Sequence, residues 1–189
     1  MPRPPDDRSD SVRAFFAVEL PVAARAAAAE CLRALAARPG GDRVRWVRPE
    51  NLHVTLRFLG PITRERLPVL ASRVGESVAR TQPFTIALGA PGWLGSRVVT
   101  LEVAPAEPLE RLAAAVERGV VAAGCEPEAR PFRAHLTLGR LRRGRRPAVT
   151  AAVTAVGDVF PVNEVVLSES RLHPTGARYS ALERILLGA

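Results

Sequence analysis

The chain has 189 residues, of which 47% are hydrophobic and 24% charged, with a formal net charge of +8. That apolar share argues against disorder as the dominant state, and the apolar runs are too short and too often broken by charge for a membrane-spanning helix. The positive balance suits a polyanionic partner such as RNA, although all 27 basic side chains are Arg, a bias that codon usage alone produces in some genomes.

Residues 1–10 are proline-rich and charged, which fits neither a signal peptide nor a lipid anchor. Residues 1–12 are expected to form a mobile tail ahead of one bilobal domain, 13–189. Residues 13–20 (RAFFAVEL) read as a strand closed by Pro21, and the alanine-rich 22–38 as a helix stopped by Pro39-Gly40-Gly41. Residues 44–47 read as a short strand, and 51–59 as a longer one ending at Gly60-Pro61. Thr63 is placed to cap a helix running to Arg80, with Pro68 delaying its start or bending it.

Residues 84–88 and 97–103 read as strands around the Gly/Pro-rich connection 89–95. Residues 107–123 form a helix with Pro108 in its first turn and Gly124 at its end. Residues 134–141 are a strand, 142–147 a basic loop, and 148–156 fit either a short helix or a strand. Residues 159–168 and 179–187 are closing strands separated by the turn His173-Pro174-Thr175-Gly176. Several neighbouring strands have no helix between them, which favours antiparallel sheets with helices packed on one side, an α+β class. The order strand, helix, His-bearing strand occurs twice, which suggests two similar lobes facing each other across a central cleft.

The repeated element is short. His53-Val54-Thr55-Leu56 and His135-Leu136-Thr137-Leu138 both read His, apolar, Thr, Leu, and they use two of the three histidines in the chain. Side chains alternate along a strand, so His53, Thr55 and Arg57 are expected on one face and Val54, Leu56 and Phe58 on the other. His135 and Thr137 pair in the same way. One His-x-Thr is weak evidence, since a hydroxyl neighbour often satisfies a core histidine. Two matched copies point to one shared task on a phosphate.

Displacement at phosphorus needs a base on the attacking side and an acid on the departing side. Imidazole suits both, with an unperturbed pKa of about 6.5. Thr hydroxyls two residues along, at roughly 6–7 Å, are placed to donate to non-bridging oxygens as charge builds there. Which histidine takes which part is left open by the residues themselves. A zinc site lacks a third ligand, there is no Gly-x-Ser-x-Gly elbow, and no phosphate-cradling glycine loop occurs. No metal and no other cofactor is expected.

These motifs and their flanks carry a resemblance. HVTL and HLTL match the paired signature of the 2H phosphoesterase superfamily. The segments RAFFAVELP, VRWVRPENLHVTLRFLG, RPFRAHLTLGR and SRLHPTGARYSAL resemble its bacterial and archaeal branch of RNA 2′,3′-cyclic phosphodiesterases, the 2′-5′ RNA ligase-like proteins. The resemblance runs over nearly the whole chain from Arg13. It implies two α+β lobes around a cleft, and metal-independent opening of a terminal 2′,3′-cyclic phosphate on RNA to a 2′-phosphate, with reversible 2′-5′ ligation of RNA ends as a secondary activity of the same site. It also implies that His53 is the proton donor to the departing 3′ oxygen and His135 the proton acceptor that activates water. Thr55 and Thr137 hold the phosphate, and Arg140 matches the family's Arg after the second motif. Strict alternation puts Arg140 opposite His135, so Arg140 reaches the phosphate only if the strand ends or bulges near Gly139.

The implied partners are RNA 3′ ends bearing 2′,3′-cyclic phosphate, tRNA fragments among them, met by a cytoplasmic monomer with no membrane contact. A phosphate-recognising RNA-binding module without turnover, or an enzyme for a small cyclic nucleotide, are the competing readings. Cys31 and Cys125 form no metal or redox motif and read as reduced, partly buried thiols, consistent with that compartment. Phe15, Phe16 and Phe58 could stack a base, but most aromatics on apolar strands are core, and Trp46 and Trp93 carry the same ambiguity. Arg142, Arg143, Arg145 and Arg146 could track RNA backbone or form a solvated loop. His173 is expected as an exposed turn residue and Tyr179 as a structural one.

Overall fold

The computed structural model describes residues 10–151, 153–174 and 176–188. Nine strands and three α-helices are present among them, in the order β1 (Ser11–Glu19), α1 (Val22–Ala36), β2 (Val44–Trp46), β3 (His53–Thr63), α2 (Leu67–Val78), β4 (Phe84–Leu94), β5 (Val98–Ala104), α3 (Ala106–Ala122), β6 (His135–Leu141), β7 (Val159–Val162), β8 (Glu164–His173) and β9 (Gly176–Leu186). Two antiparallel sheets result, one ordered β3-β1-β8-β9 and the other β2-β6-β5-β4-β7. The fold is α+β, as the mixed element order implies. Each His strand pairs with the strand that precedes it across a helix, β3 with β1 and β6 with β5, so the repeat seen in sequence is a repeat in space.

Burial alternates at the start of β1 and then covers both of its faces, with Phe15 and Ala17 buried as well. Along β1, Val12, Ala14, Phe16 and Val18 are all buried in the core. That core is one apolar cluster drawing on both sheets and all three helices. Helices α2 and α3 pack on each other, with α3 also against β3 and α2 against β9. They meet closely at Gly119, where a Cβ would fall 2.6 Å from the Val74 Cα.

Several boundaries differ from expectation, and each difference has a cause. The first nine residues of the expected tail lie outside the described residues, and Ser11 and Val12 already belong to β1. Strand β3 runs on through Gly60-Pro61 to Thr63, pairing with the start of β1. It is the edge of its sheet, where a proline's missing N–H costs no ladder bond. Strand β4 likewise continues through Gly89 and Pro91, absorbing them in an irregularity between Leu88 and Pro91. Residues 64–66 form a 3-10 turn before α2, which starts late with Pro68 in its first turn.

The expected strand 159–168 is two strands. The chain leaves one sheet at Val162 and enters the other at Glu164, and Pro161 sits on β7, again an edge. Of residues 148–156, all but residue 152 are described, and they form neither helix nor strand. Thr175, in the expected turn, lies outside the described residues, while His173 ends β8 in an exposed position.

Candidate active site

Both His motifs are built alike. His53 Nδ1 lies 2.7 Å from the Asn51 carbonyl oxygen, and His135 Nδ1 lies 2.6 Å from that of Arg133. A carbonyl only accepts, so Nδ1 carries the hydrogen in each ring and Nε2 is left to face the cleft. In register, His53 stands opposite Glu19 on β1, and His135 stands opposite Glu102 on β5. His53 Nε2 lies 2.9 Å from Thr55 Oγ1. Thr137 stands opposite Thr100.

The two copies share a further device. The pairing of β1 with β3 slips by one residue at Leu56, between the pairs Ala17–Thr55 and Phe16–Arg57. The pairing of β5 with β6 slips in the same way at Leu138, between Thr100–Thr137 and Val99–Gly139. In each motif the fourth residue is the extra one, and the alternation of side chains resets after it.

The reset corrects the expected faces of β3. Arg57 leaves the His53 face and turns toward α3. Its Nε meets a Glu117 carboxylate oxygen at 2.5 Å, and its Nη2 donates to the Glu126 carbonyl at 2.6 Å. Glu117 also accepts the Glu128 N–H at 2.8 Å, so this guanidinium ties β3 to the loop that leads into β6. Phe58 takes the other face and packs on Phe15 with ring centroids 5.8 Å apart.

In β6 the reset places Arg140 on the side of His135 and Thr137. Leu138 and Gly139 are both buried, Arg140 is exposed, and Leu141 is buried again. Gly139 is required there, because a Cβ would fall 2.6 Å from Val44 Cγ1 and 3.1 Å from the Arg45 oxygen. Arg140 then lies near enough to Tyr179 for its charge to favour the phenolate, although burial is the larger influence and raises the Tyr179 pKa overall.

Tyr179, read from the sequence as a structural residue, packs beside the first histidine, a contact that reading did not foresee. It packs edge-on against His53, with centroids 5.2 Å apart at 83°, and against Phe15 at 5.0 Å. Phe15 lies 4.8 Å from His53. Its neighbour Asn51 is buried and holds the start of β9 through its side chain, Nδ2 donating to the Ala177 carbonyl at 2.7 Å. Local pattern carried no signal for a contact made between opposite ends of the chain.

Strands β3 and β6 belong to different sheets, yet they approach within 8 Å, Cα to Cα. Burial chiefly lowers the His53 pKa below its ordinary 6.5. The Asn51 carbonyl and the Glu19 charge oppose this, and the charge of His135 adds to it. Glu19 is itself held by Arg184 at 2.7 Å. The basic loop after β6 is braced by other arginines. Arg43 donates to the Arg145 carbonyl at 2.7 Å, Arg97 to the Arg142 carbonyl at 2.5 Å, and the Arg146 guanidinium lies over Trp93 at 5.7 Å. Cys31 and Cys125 are free and half-buried. Among the described residues, no three His, Cys, Asp or Glu side chains are grouped to hold a metal ion, and no helix is long and apolar enough to cross a membrane.

Comparison with known proteins agrees with this arrangement. A family model described as the 2′-5′ RNA ligase superfamily matches residues 15–173. The RNA 2′,3′-cyclic phosphodiesterase of Escherichia coli is 34% identical over 181 residues, covering 93% of this chain and 97% of that protein. The protein of the same name from Methanothermobacter thermautotrophicus is 31% identical over 181 residues, covering 91% and 97%. A crystal structure of E. coli LigT in apo form superimposes with a TM-score of 0.78 at 30% identity, covering 95% of this chain and 99% of that one. LigT complexed with 3′-AMP gives 0.76 at 32% identity over the same shares. With both His strands, their shared bulges and their pairing partners in place along the matched span, the chain belongs to the 2′-5′ RNA ligase superfamily.

Proposed function

We propose that this chain hydrolyses terminal 2′,3′-cyclic phosphates on RNA to 2′-phosphates by two-histidine acid/base catalysis without a metal. The observation that carries this reading is the matched pair of imidazoles. Each is held by a main-chain carbonyl at Nδ1 and presents Nε2 from one of two facing sheets. In the proposed step, His135 takes a proton from water as its oxygen attacks phosphorus. The P–O3′ bond breaks, and O3′ receives the proton of His53. Thr55, Thr137 and Arg140 hold the non-bridging oxygens, where charge grows in the transition state. His53 must be protonated to act as donor, and the anionic phosphate supplies that condition, since a nearby negative charge raises a histidine pKa.

With the 5′-hydroxyl of a second RNA end in place of water, the same groups join ends through a 2′-5′ linkage: His135 takes the hydroxyl proton as O5′ attacks phosphorus, the P–O3′ bond breaks, and O3′ receives the proton of His53. The relatives' printed names concern RNA 2′,3′-cyclic phosphates, and RNA 3′ ends in the cytoplasm, tRNA fragments included, are the proposed substrates. A single chain supplies both histidines, which supports action as a monomer. The unbroken core supports treating 13–189 as one bilobal unit.

The direct test is incubation with a defined oligoribonucleotide ending in a 2′,3′-cyclic phosphate, with and without exhaustive chelation. A 2′-phosphate product in both samples is expected. A 3′-phosphate product, or activity lost on chelation and restored by zinc or magnesium, would overturn the mechanism.

A further inference from the structure

The open face of the β3-β1-β8-β9 sheet extends past the catalytic pair, and its side chains form a pattern. Residues directly opposite in an antiparallel pair share a face. Phe15 stands opposite Phe58 on one side and Ser168 on the other, and Ser170 stands between Arg13 and Tyr179. Arg13, Phe15, Phe58 and Tyr179 therefore lie on the side of the sheet away from the buried row Val12, Ala14, Phe16 and Val18. The serines of β8 are small enough for Tyr179 to reach across to Phe15.

The rings step outward from the reaction centre. Phe15 touches His53, and Phe58 lies one ring beyond Phe15. Phe58 is 54% exposed and Tyr179 36%, while Phe15, covered by both, is buried at 3%. Arg13, two residues from Phe15 on the same face, is exposed. A four-stranded antiparallel sheet with helices behind, rings across its front and a cation among them is suited to single-stranded RNA. Bases stack on the rings and a guanidinium meets the phosphate.

We propose that Phe58, backed by Phe15 and flanked by Arg13, is a stacking platform for the base of the penultimate nucleotide, the one 5′ to the nucleotide that bears the terminal cyclic phosphate. The inference rests on the phosphodiesterase reading for the identity of the terminal group. It adds that the enzyme selects an RNA end over a free cyclic mononucleotide. The platform is continuous with the His53 wall, so an occupant of the cleft that is longer than one nucleotide must cross it or leave toward solvent. The cation beside the rings favours a polyanion over an apolar protein segment.

The test compares a cyclic mononucleotide with a trinucleotide ending in the same cyclic phosphate. It also measures, by fluorescence anisotropy, binding of a labelled single-stranded oligoribonucleotide ending in a 2′-phosphate. The wild-type protein is expected to prefer the trinucleotide in kcat/KM. Phe58→Ala should lose about 10- to 100-fold on the trinucleotide and in oligonucleotide affinity, with mononucleotide turnover within about 2-fold of wild type, a bound set by stacking being absent from that substrate. Phe58→Trp should restore trinucleotide use, and Arg13→Gln should flatten the salt dependence of binding. Equal losses on both substrates, or oligonucleotide binding indifferent to Phe58, would overturn the platform. If neither substrate turns over but binding still depends on Phe58, the platform stands and the phosphodiesterase reading falls. Thermal melting of each variant separates loss of fold from loss of stacking, and Phe58→Trp carries the test if the alanine variant melts early.

Discussion

The main-chain carbonyl of Asn51 accepts the Nδ1 hydrogen of His53 at 2.7 Å, while the side chain of the same Asn51 holds the strand that carries Tyr179. One buried residue thus sets the tautomer of the imidazole and the position of the ring packed against it. Neither bond depends on the other, because one uses the backbone and the other the amide.

Separating the two gives a first prediction. Asn51→Ala keeps the carbonyl but removes the buried amide that donates to the oxygen of half-buried Ala177. The cost should be about 0.5–1.5 kcal/mol of folding stability, the net worth of one hydrogen bond, read by denaturant unfolding. Activity should fall through a displaced Tyr179, while the His53 tautomer, read from ring 15N shifts, should not change. A changed tautomer would mean that the side chain, rather than the backbone, governs the ring.

The pH dependence follows from the burial of His53. Its pKa in the free protein lies below the ordinary 6.5, so the protonated form is lost as pH rises through that lowered value. An acid that must be protonated then gives kcat/KM an alkaline limb below 6.5. The bound anion raises the pKa, and kcat, which reports the complex, should hold to higher pH. If His53 is instead the base, the limb below 6.5 will be the acidic one. Initial-rate profiles from pH 4.5 to 9, a range chosen to span about two units either side of the ordinary histidine value, distinguish the two.

Replacing either histidine by Ala should lower kcat by on the order of 10² to 10⁴. The double variant should lose far less than the product of the two, since both groups act in one step. A substrate with an activated leaving group needs no acid and should rescue His53→Ala selectively. Rescue of His135→Ala instead would reverse the roles. Thr55→Ala and Thr137→Ala should each cost less than either histidine. Full activity in either histidine variant would remove that ring from the mechanism.

The second motif depends on a glycine. Gly139→Ala would drive a methyl into Val44 and the Arg45 carbonyl, forcing β2 from β6. A loss of about 1–3 kcal/mol is expected for such overpacking, with kcat/KM reduced further because Arg140 follows directly. Unchanged stability with unchanged activity would show that β2 yields without moving Arg140.

Much of this was legible in the chain itself. Period-two alternation put His53 with Thr55 and His135 with Thr137, because each pair lies ahead of its bulge. It failed at Arg57 and Phe58, which lie after the slip at Leu56. A slip is a property of two paired strands, and one strand's sequence does not contain it. For Arg140 the glycine at 139 did hint at the irregularity. Pro61 read as a terminator, yet it sits on an edge strand, and edge position is decided by sheet order rather than by local composition. Tyr179 and the division of residues 159–168 between two sheets were hidden for the same reason: each depends on partners far along the chain.

Sheet order also has a consequence for synthesis. The His53 sheet is made from strands far apart in sequence, β1 and β3 before residue 64 and β8 and β9 after residue 163. Strand β1 lies between β3 and β8, so it stays open along one edge while most of the protein is still being made. Such distant pairings form late and slowly, and an open edge is where nascent chains meet one another. A polypeptide still on the ribosome can already expose both histidine motifs, but it lacks the wall that Tyr179 supplies. Competence for the reaction arrives only when β9 docks beside β8.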